Sequence, residues 1–462
     1  MSRKTATLKA AAIPESLVQR TRVQTPGQPA RGPHGHLRQT DTPSLHEMTS
    51  MNIEQAVPND AASADRAPGY MGKILLIAPQ PFYQDRGTPI AVQYVLTALT
   101  QLGYAVDLLT YPLGSSPKIK GVRYLRVSNP LGFRSIPVSF SWRKLFLDFL
   151  ILGRLATLLR KERYLYIHAV EESAFLAAAL RRIHRTRIVY DMASSLPEQL
   201  AVNSLFRFPP LMAVCLWLEK WLLRNVDSVV ASAGLKSKVL ELSPDADVQE
   251  WYFPAERAEI PETEIVDLRT ALEISDEDKI IVYTGTFEFY QGIDEVVAAI
   301  PTVVAKVPEA LFVLVGAKDD DQIEELRARI DPSVTDRVRI LPRVKKDQVT
   351  RFLAMADILL SPRKVGLNIP LKIFDYLAAA RPIVATDIAA HRAIADESLA
   401  EIVPADAAGM AAGIIHVLSD KRRAGELAES AASYAERVLS WSAFSGFIES
   451  LADRKSIERI ET

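Results

Sequence analysis

The chain of 462 residues contains a single cysteine, Cys215, so neither an intrachain disulfide nor a cysteine-ligated metal cluster can form within it. That suits a reducing compartment. It also lacks any uninterrupted apolar run of the roughly 18 residues that a spanning helix needs. The nearest approaches, LFLDFLILGRLATLL and LMAVCLWLEKWLL, are broken by Asp148 and Arg154 and by Glu219 and Lys220. Both read as amphipathic helices, either buried in an α/β domain or lying on a membrane surface. Net charge is only -1, which gives no electrostatic ground for nucleic acid as the main partner.

Residues 1–70 are rich in Pro, Ser, Thr, Gln and Ala and have no sustained period, so they read as a disordered extension. Basic residues dominate its first forty positions without a following apolar segment, so it is not a secretory signal. Met71 opens the first strand and is read as an alternative translation start. From Gly72 the pattern changes: KILLIAP, AVDLLTY, LYIHAV, RIVYDM and SVVAS are short apolar runs separated by helical stretches. After a Pro- and acid-rich linker around WYFPAERAEIPETEIVDLRTALEISDEDK the alternation restarts with IIVYTG, LFVLVG, VRILPRV, DILLSP, PIVATD and EIVPA. Such alternation predicts doubly wound parallel sheets, here two in tandem with a cleft between them. The expected boundaries are 71–255 for the first α/β domain and 256–430 for the second, with helices over 431–462 packing back on the first.

The stretch GLNIPLKIFDYLAAARPIVATD, from Gly366 to Asp387, has the residues for binding chemistry. Pro370 suits a first helical turn, which would leave the N–H groups of Leu371, Lys372 and Ile373 unpaired beside the Lys372 charge. That is an anion site suited to a phosphate or diphosphate. Asp375 follows about 7 Å further along the axis, roughly the span from a diphosphate to the hydroxyls of a ribose. Spacing alone equally allows an ordinary amphipathic helix with Asp375 solvated on its outer face.

This stretch, with ADILLSPRKVGLN before it, resembles the donor-site signature of the retaining GT4 (group 1) glycosyltransferases, which have the GT-B fold of two Rossmann-like domains facing each other across a cleft. IVYTGTFEFYQGIDEVVAAI, LFVLVGAKDD and VRILPRVKKDQVTRFLAMADILL are similar to further segments of that family, and ILLIAPQPFYQDRGTPIAV is similar to its acceptor-side glycine loop. The resemblance runs over roughly residues 72 to 450, in the family's order. It implies that Asp375 holds the ribose hydroxyls and that Asn368, Pro370, Leu371 and Lys372 surround the donor diphosphate. It further implies that Arg343, Val344 and Lys345 lie by the nucleobase, Gly285 and Thr286 by the phosphates, and Gly87 by the transferred sugar. His168, in YIHAVEE, aligns with a histidine that the family sets against that sugar. There are departures: Leu367 stands where the family has the first Glu of its E-x7-E motif, and Thr286 and Gln291 replace a basic pair that neutralises the diphosphate. The leaving-group charge would then fall to Lys372, Arg363, Lys364 and the helix start.

The function implied is transfer of a sugar from a nucleoside diphosphate sugar to a hydroxyl of a glycan, lipid-linked or small-molecule acceptor, with retention and without a metal or cofactor. His168, Lys372 and Arg363 are the expected catalytic residues. No Asp-x-Asp pair ends a strand of the second domain, and the DDD run at 319–321 reads as a solvated loop. Glu171, Glu172 and Asp191, at strand ends of the first domain, could supply a base or could be surface or capping acids. The alternative reading is a nucleotide- or glycan-binding scaffold that serves a partner enzyme. Localisation is expected to be cytoplasmic, or peripheral at the inner face of a membrane.

Overall fold

Continuous apolar runs make strands that can be buried on both faces, and that is how they are used. The computed structural model describes residues 71–84, 87–137, 141–197 and 209–453, all within one compact unit, Ala64–Thr462. The extension read as disordered, residues 1–70, lies outside the described residues. The first half runs β1 (Gly72–Ala78), α1 (Gly87–Gln101), β2 (Tyr104–Thr110), β3 (Val122–Arg126), α2 (Trp142–Lys161), β4 (Tyr166–Val170), α3 (Ser173–Ala179), β5 (Arg187–Met192), α4 (Pro209–Leu223), β6 (Ser228–Ala231), α5 (Ala233–Leu242) and β7 (Val248–Glu250). The second half runs α6 (Glu262–Ala271), β8 (Lys279–Thr284), α7 (Ile293–Lys306), β9 (Ala310–Ala317), α8 (Asp320–Ala328), β10 (Val338–Pro342), α9 (Lys346–Met355), β11 (Ile358–Ser361), α10 (Leu371–Ala378), β12 (Ile383–Thr386), α11 (Ala389–Arg392), β13 (Glu401–Val403), α12 (Ala407–Ser419) and α13 (Lys421–Val438), and α14 (Trp441–Asp453) ends the described chain.

Strand order is β3-β2-β1-β4-β5-β6-β7 in one sheet and β10-β9-β8-β11-β12-β13 in the other, and both are parallel throughout. Winding reverses between β1 and β4 and between β8 and β11. Loops leaving adjacent strands diverge at those points and open a crevice at the carboxyl ends, where ligands of such sheets bind. Two strands escape a reading by apolar runs, β3 and β7. Both are sheet edges with every residue half-buried, so their sequences, VRYLR and VQE, stay polar.

The chain crosses back to the first half after α13. Leu439 closes that helix and its carbonyl accepts from Ala255 N–H of the linker at 2.9 Å. α14 then lays Phe444, Ile448 and Leu451 into the core that holds Leu96 and Leu99 of α1. Across the cleft the halves touch at small residues. A Cβ at Gly87 would meet the Leu371 side chain at 3.8 Å, and one at Gly234 would lie 2.7 Å from the Leu367 carbonyl oxygen.

Candidate active site

The site is built at the second switch point, where the exits of β8 and β11 flank the start of α10. α10 is anchored by its buried face, Ile373, Phe374, Tyr376 and Leu377. The Tyr376 hydroxyl, fully enclosed, accepts from the Thr284 N–H at 2.9 Å at the end of β8. Lys372 is one turn before Tyr376 on the same helix face, so that anchor carries it to the β8 exit. Its ammonium lies 4.0 Å from the centroid of the Tyr283 ring and donates to Gln291 Oε1 at 3.3 Å. Gly285 makes room for it: its φ of 139° is one that side chains rarely adopt, and a Cβ there would stand 3.3 Å from Lys372 Nζ. Burial, and then the neighbouring Arg363 charge, push the Lys372 ammonium down to about 7. Among the described residues no carboxylate pairs with it.

Helix geometry differs in one respect from the sequence expectation. Pro370 occupies the capping position, with φ −65° and ψ 129°, and helical residues begin at Leu371. The Ile373 N–H donates to the Pro370 carbonyl at 3.0 Å, so it is not one of the outward donors. Leu371 and Lys372 keep theirs.

Asp375, one turn past Lys372, is half-buried and its carboxyl is raised above the ordinary carboxylate range by burial, against a lowering effect of Lys346. Lys346 Nζ stands 3.9 Å from Asp375 Oδ1 and also donates to the Tyr94 hydroxyl of α1. The reading of Asp375 as a solvated surface acid does not fit this pairing. Arg343, Val344 and Lys345 leave β10 and lead into α9. Arg343 and Lys345 are exposed, and Val344 packs on the core beneath α10. Thr286 offers its carbonyl to the Tyr283 hydroxyl at 2.8 Å, which fixes the ring under Lys372.

Arg363 and Lys364 are differently employed from Lys372. The Arg363 guanidinium donates to the Val365 carbonyl at 2.8 Å and the Asn368 carbonyl at 3.2 Å, and it stacks 5.5 Å over Tyr290. It shapes the β11 exit loop. Lys364 is paired with Glu295 at 2.5 Å. Behind the loop, His391 is buried and held neutral, its imidazole pushed down to about 4 by burial. Its Nδ1–H donates to the Thr386 carbonyl at 2.7 Å, so Nε2 accepts from Ser361 Oγ–H at 2.8 Å. Thr386 Oγ1 in turn donates to the Arg363 carbonyl. Nothing in TDIAAHR flagged this brace, because its partners come from two different strand ends.

His168 does not reach the cleft. Its imidazole has no exposed surface; Nε2 is 3.4 Å from Asp191 Oδ2 and the ring sits 6.1 Å from that of Trp251. The structure places it in an enclosed position rather than facing a transferred sugar, because Trp251 lies beside it and α14 packs Phe444 and Phe447 against Trp251. Leu367, at the position of the family's acid, packs its side chain against the first half's core around Leu235. No group of three or more His, Cys, Asp or Glu side chains among the described residues is arranged to hold a metal ion.

Comparison with known proteins agrees with this architecture. Residues 278–420 match the family described as Glycosyl transferases group 1, and residues 86–247 match the Glycosyl transferase 4-like domain. Together they take in well over half of the chain. A phosphatidyl-myo-inositol mannosyltransferase of Mycolicibacterium smegmatis is 32% identical over 160 residues, which is 33% of this chain and 40% of that protein. An uncharacterized glycosyltransferase of Methanocaldococcus jannaschii is 22% identical over 72% of this chain and 85% of its own length. Among solved structures, the sucrose-phosphate synthase of Thermosynechococcus elongatus superposes with a TM-score of 0.68 at 21% identity, covering 82% of this chain and 98% of that one. HepE of Anabaena, solved in complex with UDP and glucose, gives 0.62 at 15% identity over 82% and 99%. At those identities the structural likeness establishes the fold, GT-B. The chain belongs to the group 1 glycosyltransferase family.

Proposed function

We propose that the protein transfers a sugar from a nucleoside diphosphate sugar to an acceptor hydroxyl, with retention of anomeric configuration and without a metal ion. The observation that carries this reading is the Lys372 ammonium, held at the β8 exit beside a helix start and one turn from Asp375, with no acid among the described residues paired to it. Breaking an anomeric C–O bond drives negative charge onto the departing diphosphate. Donors fixed beforehand at that position stabilise the transition state more than the ground state. Lys372 and the N–H groups of Leu371 and Lys372 are those donors. Asp375 takes the ribose hydroxyls, and Arg343, Val344 and Lys345 the base. Lys372 takes over from the basic pair replaced by Thr286 and Gln291, since its ammonium is bonded to Gln291 itself.

On this reading the acceptor is lipid-linked, in keeping with the relative named a phosphatidyl-myo-inositol mannosyltransferase. In support, α2 exposes Trp142, Leu145 and Phe149 along one stripe, with Arg154, Arg160 and Lys161 exposed beside it, and α4 exposes Val214 and Trp217. α3 packs against both helices, so the two stripes belong to one flank of the first half. No helix of the described residues is long and apolar enough to cross a membrane, so contact would be peripheral. The test is transfer from GDP-mannose and UDP-glucose to extracted lipids, with EDTA present and the anomeric product read by NMR. The α product from an α donor in EDTA is the expected result. Nucleotide binding with no transfer to any acceptor would instead favour a scaffold, the reading that the loss of the acid at Leu367 supports.

A further inference from the structure

Lys346 joins the Asp375 carboxylate to the opposite half of the molecule. Its ammonium stands 3.9 Å from Asp375 Oδ1 at the start of α9 and donates to the Tyr94 hydroxyl of α1, 4.8 Å from the centroid of that ring. Tyr94 is itself held by three rings from two further places: Phe253 of the linker at 6.2 Å, and Trp441 and Phe444 of α14, both at 6.4 Å. Phe253 also meets Phe374, the residue before Asp375, at 6.1 Å edge to face. The bridge therefore sits where the linker and the returning helix pass between the halves. Two parallel routes, one of rings and one of charge, run from there to α10.

We propose that Lys346 is a positioning residue for nucleotide binding, which orients the Asp375 carboxylate for a ribose cis-diol and ties that carboxylate to the first half through Tyr94. This rests on the donor-site reading above. The chemistry requires it in two ways. A diol is held by a charged carboxylate that accepts both hydroxyls; burial of Asp375 works against that charged form and a cation beside it works in its favour. The groups facing it are Lys346 from α9, Tyr94 from α1 and Tyr376 on its own helix, with Glu256 of the linker and Tyr83 of the β1 exit acting on the Tyr94–Lys346 pair. Lys346 is the only cation of that set. Burial works against its charge, but Asp375 and the Tyr94 hydroxyl more than offset this and keep it protonated.

The experiment is calorimetric titration of UDP, GDP, ADP and dTDP into the wild type, Lys346→Met, Lys346→Arg and Tyr94→Phe from pH 5 to 8, with circular dichroism to verify folding. For the nucleotide that binds the wild type, Lys346→Met should bind about three- to tenfold more weakly at neutral pH, a modest loss because the pair is partly solvated. The pH below which binding weakens should also move upward, since Asp375 loses its only cation. Lys346→Arg should restore that pH, and Tyr94→Phe, which keeps the lysine–carboxylate pair, should leave it in place. The loss in Lys346→Met should disappear with the 2′-deoxynucleotide, which lacks the diol. Equal affinity and an unmoved acid limb in Lys346→Met would overturn the inference while leaving the donor site standing. Absence of nucleotide binding by the wild type would overturn both together.

Discussion

The two halves of the molecule have the same doubly wound plan and opposite chemistry at their switch points. The first half carries its acids at the exit of β4, in β5 and on α2, and each has a local partner: Glu172 after β4 pairs with Lys144 at 2.5 Å, Asp191 of β5 with His168, and Asp148 of α2 accepts from the Tyr111 hydroxyl at 2.6 Å. At the exits of β8 and β11 the second half presents cations, and the loop ties two of them down while Lys372 has no acid partner among the described residues. The difference teaches that architecture places a crevice but not its ligand. On the proposed function, what would select an anionic ligand on one side is a single ammonium held by a ring and an amide.

The largest effect on this contrast should come from Lys372→Ala. It removes the unpaired cation, and transfer should fall by about 10²- to 10³-fold, the cost of losing one preorganised donor at a leaving group, with circular dichroism unchanged. Asp375→Ala should weaken nucleotide binding by about ten- to a hundredfold in calorimetry, through loss of charge-assisted bonds to the ribose. The reverse test belongs to the first half: His168→Ala should lower the melting temperature, at a cost of about 2 kcal/mol for emptying an enclosed site, while kcat of the folded enzyme stays within about twofold. A drop in kcat of the order seen for Lys372→Ala would return His168 to the active site. Gly292, with φ 72°, closes against the loop: a Cβ there would lie 1.9 Å from the Pro362 carbonyl oxygen. Gly292→Ala should cost about 1–3 kcal/mol in the denaturant midpoint and weaken nucleotide binding through the displaced β11 exit.

Much of this was legible in the sequence, and the parts that were not share a cause. Interior strands announce themselves as apolar runs because both faces are covered; β3 and β7 do not, because an edge strand keeps polar residues. Spacing in PLKIFDY put Lys372 and Asp375 one turn apart, and that holds. It could not say that Tyr376 would lock the helix to Thr284 and so swing Lys372 onto Tyr283 and Gln291. The motif around His168 located a strand end, but exposure there is decided by Trp251 and α14, which arrive from distant parts of the chain. Lys346 is not distinguishable from Lys345 in the sequence for the same reason: its partner Tyr94 lies on the other half.

The most direct measurement follows from the low proton affinity of Lys372. Burial and Arg363 lower it from its ordinary 10.5 to about 7 in the free protein. Between those values the unfolded chain holds a proton that the fold has released, so stability of the free protein rises with pH across that window. A bound diphosphate reverses the balance and restores the charge. Titration of the preferred nucleoside diphosphate at pH 8, in two buffers of different ionisation enthalpy, should therefore show net proton uptake and an affinity that declines as the pH is raised further. Lys372→Met should bind weakly with no uptake. Tight binding by both proteins with equal proton exchange would contradict the account.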